Sequence, residues 1–462
     1  MAPPLSPCQG GARYNPSMAH DPARILERFA STAAEARDAL SRAGVPRWEL
    51  YAKASEWEET TLHPGAGEAT VRCRETGLAV RTRRAGRSGF AAASGGDPAV
   101  WRSTVQTAIA TERPEAIDPL PPVEALGTSP APRSGPDPPD NWGRELLTGL
   151  ERGVRELSGG ELRLTRGSVR SGRTGWLLHT AEGFTATHRS PACLLVVAIS
   201  PNRAGVPGWR RVIPVREPAT LDPTELARRL VNPFGLLREA RPRRAGITDL
   251  LLDPAVAAHL LAGIVPLLLE PRETPPVGAR IGSSLLELED DRMGEAGPLV
   301  APCDGEGVPA RRTPLVREGI LVSRLACHRD AVRSGEVARA GGAVRPTYRE
   351  PPVTGIANLL LHPRAGLPGE TLVEAAGRAV YLLELAGQPE VDLSADRYRL
   401  AGLGVALDHG RVGPWHPLVE VTGRVSRLLT RLEATGARIA WHQTAAGVVG
   451  TPPLLFRAQL VA

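Results

Sequence analysis

Few residues in this 462-residue sequence have the types and spacing that chemistry demands. His259 lies in a run that reads as a buried helix over residues 254–270. A metallopeptidase helix needs a second imidazole about one turn away to share the metal, with a carboxylate alongside to deprotonate the metal-bound water. The residues one turn on are Ala262, Gly263 and Ile264, which cannot ligate, so His259 reads as a core or interface histidine. Asp304, Glu306 and the pair Cys327-His328 could suggest a metal cluster. With Cys327 and His328 read as strand residues, however, they point to opposite faces and do not chelate one ion. His409, His416 and His442 show no ligand spacing. There is no G-x-S-x-G, since Gly282-Ser283-Ser284-Leu285 lacks the closing glycine, and no P-loop or dinucleotide fingerprint. Gly402-Leu403-Gly404 reads as a strand kink. From residue types alone, no active site assembles.

The elements that would position such groups are organised around residues 303–325, CDGEGVPARRTPLVREGILVSRL. Asp304 to Pro309 form a turn shaped by Gly305 and Gly307. A hairpin follows, with strands over 313–316 and 320–325 and a loop at Arg317-Glu318-Gly319, glycine taking the position of positive φ. Upstream, the sequence predicts a tail without periodicity over 1–20, which reads as disordered, then a helix over 21–42 carrying Phe29, Ala33, Ala36 and Leu40 on one face. Five short β-runs follow at 48–54, 58–62, 69–73, 78–83 and 89–93, with turns at Gly65, Gly67, Gly77 and Gly86. After a helix over 98–111, a proline-rich tract at 112–140 reads as a linker or surface strap. Asp-Pro pairs at 97, 222 and 253 mark helix starts, with Glu225 completing a capping box. The run at 196–198 suggests a strand buried on both faces. Residues 241–246 read as the boundary between a domain over 21–245 and one over 246–462. In the latter, Pro266 should kink the buried helix, and 423–435 reads as a helix before a last strand over 454–461.

The composition is that of an ordinary globular chain, with 42% hydrophobic and 23% charged residues. A net charge of +6 invites a polyanion partner, but the arginines are dispersed (81, 83, 84 and 87; 241, 243 and 244) and read as solvated. Aromatics make up 4% of the chain, too few for stacking platforms. Nucleic acid is therefore not the expected partner. Five scattered cysteines without CxxC exclude a disulfide framework and a cysteine zinc knuckle. No signal peptide or run of about 18 apolar residues is expected to engage a membrane, and the cytoplasm is the expected compartment.

The signature Asp304-Gly305-Glu306-Gly307-Val308-Pro309, with Thr313, Leu315 and Gly319 after it, resembles the TldD/PmbA family of metallopeptidases, in its PmbA (TldE) branch. Residues 253–261, the segment ending Thr354-Gly355-Ile356-Ala357-Asn358, residues 396–412 and Gly450-Thr451-Pro452-Pro453 are similar to the family as well. The resemblance implies an α+β protein: an N-terminal helix and β-meander domain, then a distorted antiparallel β-barrel-like domain with buried helices. In the TldD branch a His-Glu-x-x-x-His helix and a C-terminal cysteine hold zinc. The corresponding helix here offers His259 alone, and residues 442–447 offer no cysteine. The resemblance therefore implies no metal and no catalytic residue in this chain, and zinc in a TldD-type partner subunit. Extended, unfolded or modified peptides would be the substrate, held in a shared cavity to which this subunit adds a strand edge. Asp304, Gly305, Glu306, Gly307, Thr313 and Gly319 would be structural, with His259 and Asn358 the cavity candidates. Two other readings are a nucleic-acid or DNA-topology modulator, an activity attached to the family's name, and a stand-alone hydrolase using His259 with Cys327.

Overall fold

The structure, a computed structural model, describes residues 22–462 except 66, 131–140, 204, 238–244, 273 and 336–340. The expected tail over 1–20 and most of the expected boundary at 241–246 lie outside the described residues. In the N-terminal half, helix α1 (Pro22–Arg42) precedes strands β1 (Arg47–His63), β2 (Gly67–Arg84) and β3 (Arg87–Ser94). Then come α2 (Pro98–Ala110), the short β4 (Arg113–Pro114), α3 (Trp142–Leu157), β5 (Leu162–Thr180), β6 (Thr185–Pro201), β7 (Trp209–Val215) and α4 (Pro223–Val231). The strands form one antiparallel sheet in the order β4-β3-β2-β1-β5-β6-β7. The five expected short runs are thus three long strands. Gly77, expected as a turn, pairs with Lys53 in mid-strand. It is glycine because the ring of Tyr348 lies against it, and a Cβ there would come within 2.1 Å of that ring. Close approach, not a turn, explains the residue.

Phe29, Ala33, Ala36 and Leu40 of α1 pack with Leu50, Ala52 and Ala54 of β1 and Trp101 of α2, so the alternation of β1 matches the stripe on α1. The residues between them, Glu49 and Tyr51, face the C-terminal half. In β6 the same alternation leaves Val197 and Ile199 buried and Val196 and Ala198 half-buried, so the expectation of burial on both faces does not hold. Asp222 and Asp253 cap their helices through Thr224 and Ala255 N–H groups at 2.9 and 3.0 Å. Asp97 makes no cap hydrogen bond, and Glu225 pairs with Arg228 and Arg229 instead of closing a capping box.

The C-terminal half runs through β8 (Gly246–Leu252), α5 (Pro254–Ile264), β9 (Leu288–Asp291), β10 (Arg312–Arg317), β11 (Ile320–Leu321) and α6 (His328–Arg333). It continues with β12 (Ala343–Val344), β13 (Val353–Thr354), β14 (Asn358–Leu361), α7 (Gly369–Ala375), β15 (Arg378–Leu385), β16 (Glu390–Asp392) and β17 (Arg397–Asp408). Next come β18 (Arg411–Gly423), α8 (Val425–Thr430), β19 (Leu432–Thr435), β20 (Ala440–Gln443), β21 (Val448–Thr451) and β22 (Leu454–Val461). Strands β15-β8-β22-β18-β17 close on themselves because β17 also pairs with β15. The fold is therefore α+β with a small distorted barrel, as expected. The barrel is mixed and not purely antiparallel: β15 runs parallel to β8, and β14 parallel to β21 in the adjoining six-stranded sheet. Helix α5 is apolar all round, and its Val256, Leu260, Leu261 and Ile264 lie in the core. It gives way at Val265 to a 3-10 turn containing Pro266, as a proline lacking its N–H requires. Residues 423–435 split into α8 and β19 where one helix was expected, and the ladder is interrupted between Gly402 and Gly404 as expected.

Candidate functional site

The hairpin of the signature pairs Arg317 with Ile320, so its loop is the two residues Glu318 and Gly319, at φ 48° and 76°. Two positive φ values define a type I′ turn, one residue shorter than the expected loop. Gly319 is required twice over, because a Cβ would come within 2.2 Å of the Gly282 carbonyl. Thr313 is buried on β10 opposite Asp290.

Ahead of the hairpin, the Asp304 carboxylate accepts three backbone N–H groups: Glu306 at 2.8 Å, Val308 at 3.0 Å and Ala343 at 3.0 Å. It folds the turn onto itself and ties it to β12. Gly305 passes against Val344 and Arg345, and Gly307 holds φ +87° with the Phe184 and Leu178 side chains where a Cβ would sit. Glu306, 1% exposed, accepts the His328 N–H at 2.7 Å and faces Arg81 of β2 at 3.3 Å. Arg81 is itself buried and makes a two-pronged contact with Glu49 of β1 at 2.9 and 2.6 Å, plus a bond to the Pro119 carbonyl at 3.1 Å. Arg345 also bonds Glu49 and lies 4.3 Å from the Tyr51 ring centroid.

A chain of alternating buried charges thus locks the signature turn to the N-terminal sheet. Burial works against the charge on Arg81, but Glu49 and Glu306 outweigh it and hold its pKa above the usual arginine value. For Glu49, burial is likewise outweighed, by Arg345 and Arg81, and its pKa is lowered. For Glu306, burial dominates the attraction of Arg81, and its pKa is pushed up to about 7. Arg81 was expected to be solvated; its burial here overturns that reading. Arg83, Arg84 and Arg87 bond the Glu115 carbonyl, Glu112 and the Glu112 carbonyl and hold the start of the proline tract. Arg241, Arg243 and Arg244 lie outside the described residues. Further on, the Gly127 and Ser129 N–H groups bond the Gly307 and Pro302 carbonyls at 2.9 and 2.7 Å. The tract up to residue 130 is a strap joining both halves through the signature turn.

Cys327 and His328 are not on a strand. Cys327 stands at the N-cap position of α6 without a capping side-chain bond, and its thiol donates to the Asp330 carboxylate at 3.3 Å. Burial and the neighbouring Glu306 push that thiol up to about 11, so it stays protonated and is a poor nucleophile. Arg81, Glu306, Cys327, Phe90 and Arg329 line a cleft of about 740 Å³ between the halves. Asn358 does not face a cavity. It is fully buried, donates to the Asp291 and Leu299 carbonyls at 2.7 Å each and accepts the Leu299 N–H at 3.1 Å.

The remaining candidate, His259, sits half-buried on α5 beside β20 and its His442. Arg211 of β7, 9% exposed, bonds Glu384 and, at 3.3 Å, Asp253. Its charge reaches both histidines and, after burial itself, is the largest influence lowering their pKa values, that of His442 to about 3. Nothing in the sequence connects residues 211, 259, 384 and 442; only the tertiary fold joins them. Asp253 is used by Ala255 and Arg211, and Glu384 by Arg210 and Arg211. Positions 262 and 263 offer no donor. Among the described residues no group of three or more His, Cys, Asp or Glu side chains could hold a metal ion. The residues present therefore do not fit the zinc that the family fold implies.

The His442 imidazole has a measurable consequence. A base whose folded pKa is depressed from 6.5 to about 3 stabilises the fold fully above pH 6.5 and ceases to do so as pH falls toward 3. His442→Leu is expected to flatten the acid limb of a stability profile over that window, by up to about 1.4 kcal/mol per pH unit. Urea denaturation at pH 4, 5, 6 and 7 measures it, and an unchanged slope would contradict the assignment.

The fold defines a class, that of α+β proteins in which a long antiparallel N-terminal sheet is joined to a small mixed barrel. Residues 245–462, a little under half of the chain, match the family described as the PmbA/TldA metallopeptidase C-terminal domain, and this part of the chain belongs to that family. Its structure is similar to TldE from Thermococcus kodakarensis, with TM-score 0.79 and 17% identity over 92% of this chain and all of that one. It is likewise similar to a putative modulator of a DNA gyrase from Thermotoga maritima, with TM-score 0.77 and 15% identity over 94% of this chain and all of that one. At these identities the likeness establishes the fold. A metalloprotease of Synechocystis sp. is 26% identical over 173 residues, 37% of this chain and about a third, 36%, of that protein. Among the described residues no helix is long and apolar enough to cross a membrane.

Proposed function

We propose that this chain is the zinc-free, PmbA/TldE-like subunit of a cytoplasmic heterodimeric metallopeptidase whose zinc is held by a TldD-type partner. Together they process unfolded or modified peptides in a cavity both subunits wall. The observation that carries the reading is α5. The helix that would present the ligands offers His259 alone, with Ala262 and Gly263 one turn on, and the Cys327 thiol is held protonated. Neither a metal-bound water nor a thiolate is available to attack a peptide carbonyl from these residues. Support also comes from the likeness to TldE. Dispersed, internally paired arginines such as Arg81, Arg211 and Arg345 give no comparable support to a nucleic-acid role.

Co-expression with a relative carrying a His-Glu-x-x-x-His helix is expected to yield a 1:1 complex that cleaves extended peptides and contains one zinc per heterodimer. The isolated chain is expected to cleave none. Chelator-sensitive peptidase activity of the isolated chain would overturn the proposal.

A further inference from the structure

The outer face of the barrel carries a groove of about 950 Å³, and strand register builds it. Ile247 of β8, Leu460 of β22, Thr422 of β18, Arg399 of β17 and Glu390 of β16 stand in one cross-strand rank, each opposite the next. Residues so paired share a face. That face is the outer one, because the strand neighbours Val461, Val421 and Leu400 lie in the core. The rank is apolar at one end and charged at the other. Ile247 and Leu460 are 74% and 51% exposed, two large aliphatic side chains side by side on a solvent-facing sheet. The charged end is not balanced. Arg399 is held by Glu390 at 2.7 Å and Glu420 at 3.0 Å, and Asp392 accepts the Ser394 and Ala395 N–H groups at 2.9 Å each. Asp396 is likewise used, by the Ser426 N–H at 2.9 Å and hydroxyl at 2.7 Å. Arg397 of β17, Arg424 at the N-cap of α8 and Arg427 within it line the same groove, are exposed and make no ion pair among the described residues. An apolar pair beside guanidinium groups that lack carboxylates is matched by the opposite layout, branched aliphatic side chains flanked by acids. The arginines stand on different elements, so they call for carboxylates spaced along a chain and not for one head group. From β8 to β16 the rank covers about 19 Å at the usual strand spacing, a length that about six extended residues span.

We infer that this groove docks an extended acidic segment of the substrate peptide, with aliphatic side chains seated on Ile247 and Leu460 and carboxylates on Arg397, Arg424 and Arg427. The inference rests on reading the chain as part of a peptide-processing complex, and it names the class of peptide that complex favours.

The experiment uses the full isolated chain and a fluorescein-labelled peptide, Glu-Ile-Glu-Leu-Glu-Ile-Glu, followed by fluorescence polarisation. Wild type is expected to bind it saturably, and more weakly as salt rises. Peptides with lysine in place of glutamate, or serine in place of the aliphatics, are expected to bind at least about tenfold more weakly. The double variant Arg424→Glu/Arg427→Glu and, separately, Ile247→Asp change exposed positions where substitution leaves the fold in place. Each is expected to weaken binding of the acidic peptide at least about tenfold. The inference is overturned if wild type does not bind the acidic peptide at about 1 mM, if it binds the lysine peptide equally well, or if binding survives both variants. The peptide controls decide on wild type alone should a variant fail to fold. A wild type that ignores the peptide, together with an Arg424→Glu/Arg427→Glu chain that no longer co-purifies with a relative carrying the metal helix, would overturn peptide docking and assign the face to subunit contact. None of these readouts uses catalysis, so the subunit reading stands or falls separately, on the zinc and activity of the co-expressed complex.

Discussion

Asp304→Ala is expected to cost about 4 kcal/mol of stability, because three buried N–H groups lose their acceptor together and each orphaned donor costs roughly 1–3 kcal/mol. The groups belong to Glu306, Val308 and Ala343, so the turn, the barrel-side strand β12 and the attachment of the strap through Gly307 loosen at once. Asp304→Asn keeps one acceptor oxygen and the shape but points an NH₂ at a donor, and should lose about half as much. Urea denaturation measures both through a lowered midpoint. A loss below about 1 kcal/mol in the alanine variant would mean that the turn is held by something other than this carboxylate.

Arg81→Met is the second large effect. It removes the cation between Glu49 and Glu306, both at most 2% exposed, and breaking a buried pair from one side costs about 3–5 kcal/mol. Arg345 still faces Glu49, so the residual charge falls mainly on Glu306. The sign of the pH dependence follows from Glu306. Its folded pKa, about 7, exceeds the ordinary 4.5, so its contribution is fully present below pH 4.5 and is lost as pH rises through 7. Without Arg81 that pKa should rise further and the loss on the alkaline side should deepen. Glu306→Gln, a permanent mimic of the protonated carboxyl, should flatten the profile between pH 4.5 and 7. Stability measured from pH 5 to 8 in wild type and the two variants checks the sequence of slopes. A wild-type profile unaltered by Glu306→Gln would show that this carboxyl does not titrate in the window.

Local rules found the helix beginning near Pro22, the Asp222 and Asp253 caps, the proline kink at 266 and the signature hairpin, since each depends on residues within one or two turns of chain. They mistook Gly77 for a turn because the reason for that glycine, the Tyr348 ring, lies far along the sequence. They placed Cys327 and His328 on a strand because nothing nearby announces that Glu306 will accept the His328 N–H and start α6 there. Arg81 was read as solvated because its partners are Glu49 and Glu306, 32 and 225 positions away. Asn358, read as facing a cavity, is instead held among the backbone groups of Asp291 and Leu299.

The sequence by itself determined the family of the C-terminal half, the α+β class and the missing ligands on α5, because motif, periodicity and the absence of donors at 262 and 263 are all local properties. Tertiary structure alone decided that the signature turn is clamped by Arg81 and strapped at Gly127 and Ser129, and that Arg211 reaches from β7 to Asp253 at the start of α5 and to Glu384. Buried charges choose their partners by proximity in the folded chain, and the long-range pairing of strands sets that proximity.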